Sequence, residues 1–222
     1  MTVTIKDPGS AFSHFVAMMM ALLASTPLLI KASMQPDRIH MVALTIYISS
    51  MIMLYAASTT YHTFDLSVKV NRILKKIDHV MIFIMIAGTY TPICIIALPQ
   101  PAGIILLTVV WAIALIGIIV KLAWITCPKW FSSSLYISMG WICVLALTQL
   151  LNCLPIAAFI WLLAGGIIYT IGGVIYALKL PVFNSKHRYF GSHEIFHLFV
   201  MCGSICHFVV MYVFVAGMPL NI

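Results

Sequence analysis

Two histidines, His193 and His197, stand one helical turn apart in a segment that is otherwise apolar enough for a membrane interior. An ionisable side chain inside a bilayer is costly, so such a residue marks a functional site by default. Ser58 and His62 form a second polar pair with the same spacing, much earlier in the chain. Residues four apart share one face of a helix, so each pair presents its side chains in one direction.

Metal binding is the chemistry that these residues predict. Two histidines one turn apart can bind one ion, and His62 from another helix adds a third nitrogen ligand. Three protein ligands leave a fourth position for water, as in catalytic zinc sites, and that water is a nucleophile at neutral pH. Asp78 is expected to orient or deprotonate the water, and Ser58 to hydrogen-bond it or polarise a substrate carbonyl. We therefore predict a zinc site of His62, His193 and His197, with Asp78 and Ser58 as catalytic residues.

The same residues also fit two alternatives to a zinc hydrolase: a site for another metal, and a protease. Imidazole ligands also suit iron, copper and nickel, so the ligand types alone do not select zinc. The string His193-Glu194-x-x-His197 also matches the H-E-x-x-H pattern of metalloproteases, in which the glutamate is the general base. An intramembrane protease is therefore a competing hypothesis, and Glu194 is its test.

Composition requires that these residues lie in a membrane protein. The chain has 222 residues, of which 63% are hydrophobic and 8% charged, and its mean hydropathy is +1.11. Globular domains are near half apolar and a quarter charged. Apolar stretches of about 20 residues recur and lack the alternation of membrane strands, so we predict an all-α integral membrane protein. The single domain, 1–222, is expected to be a seven-helix bundle with spans at 12–30, 40–62, 78–98, 102–123, 133–151, 156–178 and 192–216.

The distribution of charge predicts the orientation of the bundle. Ten of the twelve lysines and arginines fall at the N-terminus or in the loops after helices two, four and six. This asymmetry predicts a cytoplasmic N-terminus and an external C-terminus for a multi-pass inner-membrane protein. Since topology accounts for the net charge of +7, membrane lipids rather than nucleic acid are the expected partners. The same topology brings His62, Asp78 and His193, on three different helices, to one depth.

These polar residues stand in three motifs that closely resemble those of the bacterial hemolysin III family, in the same order. They are Ser58-x-x-x-His62, the run from Asp78-His79 through Gly88-Thr89-Tyr90-Thr91-Pro92, and Gly191-Ser192-His193-Glu194-Ile195-Phe196-His197. That family is related to the progestin and adipoQ (adiponectin) receptors and, more distantly, to the alkaline ceramidases.

The resemblance implies seven helices, a cytoplasmic N-terminus and zinc held at His62, His193 and His197. It also implies that Ser58 and Asp78 lie beside the metal-bound water. Eukaryotic relatives have glutamine at the position of Glu194, which argues against a protease. Many hemolysin III sequences carry a glutamate just before the first helix, whereas residues 7–14 of this chain contain none.

Three further functions compete with the protease. The first is a zinc-dependent hydrolase of a lipid amide or ester, because the open ligand set lies near headgroup level. The second is a receptor-like sensor of membrane state with structural zinc and no enzymatic activity. The third is a cytolysin or pore, although the polar residues cluster at one end of the spans instead of following a path across them.

Overall fold

Seven helices long and apolar enough to cross a membrane make up the computed structural model, which describes residues 5–178 and 191–221. We number them α1 to α7. They are Pro8–Ser33, Ile39–Thr63, Val68–Ala97, Ala102–Ala123, Lys129–Cys153, Ile156–Leu178 and Ser192–Gly217. The described residues contain no strand, so the predicted all-α class is confirmed. Helices suit such apolar segments because each one satisfies its backbone hydrogen bonds internally.

Apolar side chains cover the outside of the bundle as well as its interior. Leu145 is 79% exposed and Ile156 is 68% exposed, and many other large aliphatic residues project outward in the same way. An aqueous surface would leave this apolar area in contact with water, which is unfavourable. The outward face is therefore the lipid-facing surface of a multi-pass membrane protein.

Helix α3 begins ten residues before the predicted span, at Val68 instead of residue 78. The segment 63–77, predicted to be a connection, is therefore mostly helical. Ser67 caps the helix, since its hydroxyl accepts a hydrogen bond from the Val70 N–H at 3.3 Å. The first turns of α3 are charged and exposed, and a hydropathy pattern registers only the apolar part of a helix that extends beyond the bilayer.

Helix α5 is regular only to Gly140, after which residues Trp141–Ala146 form a 3₁₀ segment. The Tyr90 hydroxyl on α3 satisfies backbone groups at this break. It donates to the Gly140 carbonyl at 2.6 Å and accepts from the Cys143 N–H at 2.9 Å. Irregular backbone inside a membrane needs such partners, because no water is available to replace them.

Close packing and a buried hydrogen-bond network align α2, α6 and α7. Gly203 on α7 lies against the Tyr169 ring, and Gly165 on α6 lies against the His207 ring, so a side chain at either glycine would clash. Ser204 on α7 accepts from the Tyr55 hydroxyl at 2.6 Å and lies 2.8 Å from the Tyr169 hydroxyl. These contacts set the relative height of the helices that carry the histidines.

One end of the bundle, which we call the basic end, carries the start of α1, α3, α5 and α7 and the end of α2, α4 and α6. The chain before α1 is fixed there by two backbone hydrogen bonds to the end of α2. The Asp7 N–H donates to the His62 carbonyl at 2.9 Å, and the Lys6 N–H donates to the Thr63 carbonyl at 3.2 Å. That this end faces the cytoplasm is a prediction from charge, and the basic loop after α6 lies outside the described residues.

Candidate metal centre

The three predicted ligands meet at the basic end. His62 lies on the last turn of α2, and His193 and His197 lie one turn apart at the start of α7. One nitrogen from each ring lies within 4.8 Å of the nitrogens of the other two. His62 Nε2 and His193 Nε2 are 3.2 Å apart, and the ring centres of His193 and His197 are 4.5 Å apart.

This cluster fits a metal ion by spacing and by chemistry. Zinc–nitrogen bonds of 2.0–2.1 Å in tetrahedral geometry place two nitrogen ligands about 3.3 Å apart. The Nε2 pair of His62 and His193 is already at that spacing. His62 and His197 are 2% exposed, and the Nδ1 atoms of His193 and His197 have no hydrogen-bond partner among the described residues. Imidazoles buried against each other in this way are stabilised by a shared cation.

Asp7 orients His62, a role that the sequence motifs did not predict. His62 Nδ1 lies 2.9 Å from Asp7 Oδ2, so the ring donates its Nδ1 hydrogen and keeps the Nε2 lone pair for a metal. The hydrogen bond from His62 lowers the pKa of the Asp7 carboxyl below its ordinary value. Carboxylates commonly orient metal-binding histidines in this way. Asp7 itself was the available signal, because it is an acidic residue directly before the first helix.

We expect Asp7→Ala to weaken zinc binding by about 10- to 100-fold, the usual effect of losing a carboxylate that orients a histidine ligand. Competition for zinc against a chromogenic chelator measures the change. Asp65→Ala is the matched control, because Asp65 is an exposed carboxylate at the same end that contacts Asn71 instead of a histidine. Equal zinc affinities of the two variants would show that Asp7 does not tune the site.

Ser58 and Asp78 both reach the space beside the histidines. Each lines the same cavity as His193 and His197, and Ser58 is 1% and Asp78 7% exposed. The Ser58 hydroxyl lies beside the Asp78 carboxyl. A carboxyl group and a hydroxyl group therefore lie beside the histidine cluster, and their catalytic roles stay predictions.

Glu194 is held in structural contacts. One carboxylate oxygen accepts from the Ser10 hydroxyl at 2.9 Å, and the other accepts from the Gly191 N–H at 2.8 Å, which caps the start of α7. A general base needs a free oxygen directed at the reacting water, and both oxygens of Glu194 are occupied. This geometry argues against the protease hypothesis and assigns Glu194 to joining α1 and α7.

Glu194→Gln is expected to leave zinc content unchanged and to lower the melting temperature by a few degrees, because the amide keeps only part of the cap. Ser10→Ala removes the same interhelical bond from the other side and serves as the matched variant. Zinc analysis and thermal unfolding of both proteins test the assignment. If Glu194→Gln abolished an activity that Ser10→Ala preserved, the glutamate would have the role of a catalytic base.

His14 lies next to the three clustered histidines, whereas His207 lies far from them. The His14 ring stacks on His197 with centres 3.7 Å apart, and neither of its nitrogens has a hydrogen-bond partner among the described residues. His14 therefore forms one wall of the site. His207 lies about 15 Å further along α7, at 1.5 Å per residue, and its Nε2 is 3.3 Å from the Leu162 carbonyl oxygen. His207 therefore contacts the backbone of α6 instead of joining the cluster.

An apolar cavity of about 160 Å³ extends from the histidines into the bundle. Its walls come mainly from α3, α5, α6 and α7, and it reaches from His193 and His197 to His207 and Trp141. A second cavity of about 90 Å³ shares Tyr90, Trp141 and His207 with the first and continues towards α4. The polar cluster thus lies at one end of a long apolar space.

Comparison with known proteins agrees with the three motifs. The family described as Haemolysin-III related matches residues 3–208. Hemolysin-3 of Bacillus cereus is 35% identical over 209 residues, which cover 94% of this chain and 91% of the relative. The Hemolysin-3 homolog of Bacillus subtilis is 34% identical over 206 residues, covering 92% of each chain. The ADIPOR-like receptor IZH2 of Saccharomyces cerevisiae is 38% identical over 50 residues, or 21% of this chain and 16% of its own. The chain belongs to the haemolysin III-related family.

Proposed function

We propose that the protein is a zinc-dependent hydrolase of a lipid amide or ester. One observation carries the proposal: a cluster of three histidines, with a carboxylate and a hydroxyl beside it, lies at one end of a buried apolar cavity. A polar, water-soluble substrate would gain little by binding in that apolar space, whereas an acyl chain would bury its apolar surface there. The polar end of the cavity would then receive the linkage between acyl chain and headgroup.

The donor set favours zinc among the metals that imidazole binds. Three neutral nitrogen ligands with an open position are typical of catalytic zinc. Zinc in such a site supplies Lewis acidity, which polarises a carbonyl group and makes water more acidic. Iron sites of the non-haem type instead combine two histidines with a carboxylate ligand, and here the nearby carboxylate of Asp7 contacts His62 Nδ1 rather than joining the cluster.

The chain's own residues have distinct tasks in this reaction. Asp78 accepts a proton from the attacking water and returns it to the leaving amine or alcohol, so that one water is consumed and an acid and an amine or alcohol are formed. Ser58 hydrogen-bonds the carbonyl oxygen as charge builds on it. Leu54, Ile82 and Val200 along the cavity hold the acyl chain and exclude bulk water from the linkage.

The direct test is an assay of the purified protein against a panel of lipid amides and esters with a common acyl chain. Chelator-treated and zinc-reloaded protein are compared, and release of free fatty acid is measured by mass spectrometry. We expect release from at least one class only with the reloaded protein. A protein that contains one zinc per chain and releases fatty acid from none of the panel would contradict the proposal.

A further inference from the structure

Lys121, near the end of α4 at the basic end, is a buried cation that forms no ion pair with any residue of 5–178 or 191–221. It is 1% exposed. Its ammonium group donates to Ser132 Oγ at 2.6 Å and to Cys127 Sγ at 3.1 Å. Within the described ranges, every ion pair involves a histidine, so no carboxylate neutralises this lysine.

Topology explains the presence of a lysine here but not its burial. Basic residues orient a membrane protein from solvent-exposed loops and helix ends, and Lys69 at the same end is exposed in that manner. Burying a charge without a counter-charge is destabilising, and natural proteins tolerate it mainly where the charge has a function. The burial of Lys121 therefore calls for an anion that binds next to it.

Ser132, which contacts Lys121, and its chain neighbour Ser133 face the cavity that holds the histidine cluster. Ser132 and Ser133 both line it, together with Asp78, His193 and His197. The lysine donates to Ser132 Oγ, and the serine's own hydrogen makes only a long contact, 3.4 Å, with the Pro128 carbonyl. A stronger acceptor in the cavity, such as a phosphate oxygen, could replace that contact. The Ser133 hydroxyl forms no hydrogen bond within the described part of the chain.

Positive charge surrounds this wall of the cavity. Lys75 and Lys121 both act electrostatically on His79, which is also at the cavity wall. Lys129 lies over the ring of Tyr176, another lining residue, with its Nζ 4.1 Å from the ring centre. The first turn of α5 has no acidic residue to offset the positive end of its dipole.

We propose that Lys121, acting with Ser132 and Ser133, holds the phosphate of an anionic lipid headgroup beside the histidine cluster. A phosphate oxyanion accepts several hydrogen bonds at once and gains most from donors that carry or are polarised by positive charge. The inference rests on the proposed function in taking a lipid as the ligand of the cavity. It narrows the substrate class from acyl lipids in general to acyl lipids that carry phosphate.

A pair of probes that differ only in the phosphate tests the proposal. Short-chain phosphatidic acid and the diacylglycerol with the same chains are titrated into chelator-treated full-length protein in detergent, and binding is measured by native mass spectrometry. We expect phosphatidic acid to bind about tenfold more tightly than diacylglycerol, as one charge-assisted contact implies. Lys121→Met should remove that preference, and Lys69→Met, which makes the same change in net charge, should preserve it.

Inorganic phosphate distinguishes the two sources of the anion. If it displaces phosphatidic acid, the pocket takes free phosphate as well as the headgroup, and if it does not, the pocket takes the headgroup alone. Equal binding of both lipids by the wild type would overturn the proposal, as would equal effects of the two lysine variants. Binding is measured without turnover, so a failed hydrolysis assay and a failed binding assay are separate results.

Folding of the variants is checked by thermal unfolding. Lys121→Met is expected to melt at or above the wild-type temperature, because methionine removes a buried charge while keeping most of the volume. A lysine with a purely structural role would instead show a lower melting temperature. Ser132→Ala keeps the charge, and it should reduce the preference for phosphatidic acid if the hydroxyl contacts the phosphate.

Discussion

Alanine in place of His197 is expected to abolish stoichiometric zinc binding, lowering the metal content from about one ion per chain to nearly none. The reason is the loss of one of three imidazole ligands, which leaves too few protein donors to hold the ion tightly. Because the ligands come from α2 and α7, loss of the metal should also lower the melting temperature. Metal analysis by mass spectrometry and thermal unfolding measure the two effects.

His207→Ala is the matched control for this experiment. It makes the same substitution on the same helix, but His207 contacts the Leu162 carbonyl and lies outside the ligand cluster. Its zinc content should equal that of the wild type. Full zinc content in His197→Ala would show that the three histidines are not the metal site.

Asp78→Asn is expected to reduce the rate of lipid hydrolysis by about 10²- to 10⁴-fold, the usual contribution of a general acid–base residue. Asparagine keeps the shape of the side chain but cannot accept and return a proton. Since Asp78 is not one of the three predicted metal ligands, the variant should keep its zinc. Fatty acid release is measured on the substrate identified by the lipid panel, with zinc content determined on the same preparation.

Two further variants test whether the loss of rate is specific to Asp78. Asp65→Asn neutralises an exposed carboxylate at the same end of the bundle and should keep the wild-type rate. Ser58→Ala should reduce the rate by a smaller factor, because it removes a hydrogen bond and not the proton acceptor. An Asp78→Asn protein with the wild-type rate would favour the sensor hypothesis, in which the metal is structural.

The clustering of His62, His193 and His197 was predictable because it follows from two simple rules. Residues four apart share a helix face, and counting membrane spans brings the ends of α2 and α7 to the same side. Neither argument needs knowledge of side-chain packing. The same counting predicts Asp78 and Ser58 at this depth, and in the structure both line the cavity that His193 and His197 also line.

Other features of the structure could not be predicted, because they depend on contacts between residues that are far apart in the sequence. The bond between Asp7 and His62 joins residues far apart in sequence, and the chain before α1 must return beside α2 for it to form. The Ser10 partner of Glu194 arises in the same way. The break in α5 requires the Tyr90 hydroxyl from another helix. Charge counts registered Lys121 as a topology signal, whereas only packing reveals that it is buried.

The contacts between α1 and α7 have a consequence for biosynthesis. Ser10 contacts Glu194, and His14 stacks on His197, so the first helix to leave the ribosome closes against the last. His62, the one predicted ligand on α2, has no other ligand beside it until α7 is inserted. We therefore expect chains truncated before α7 to carry no metal, because two of the three ligands are then missing. Metal binding can therefore begin only after the last helix has joined the bundle.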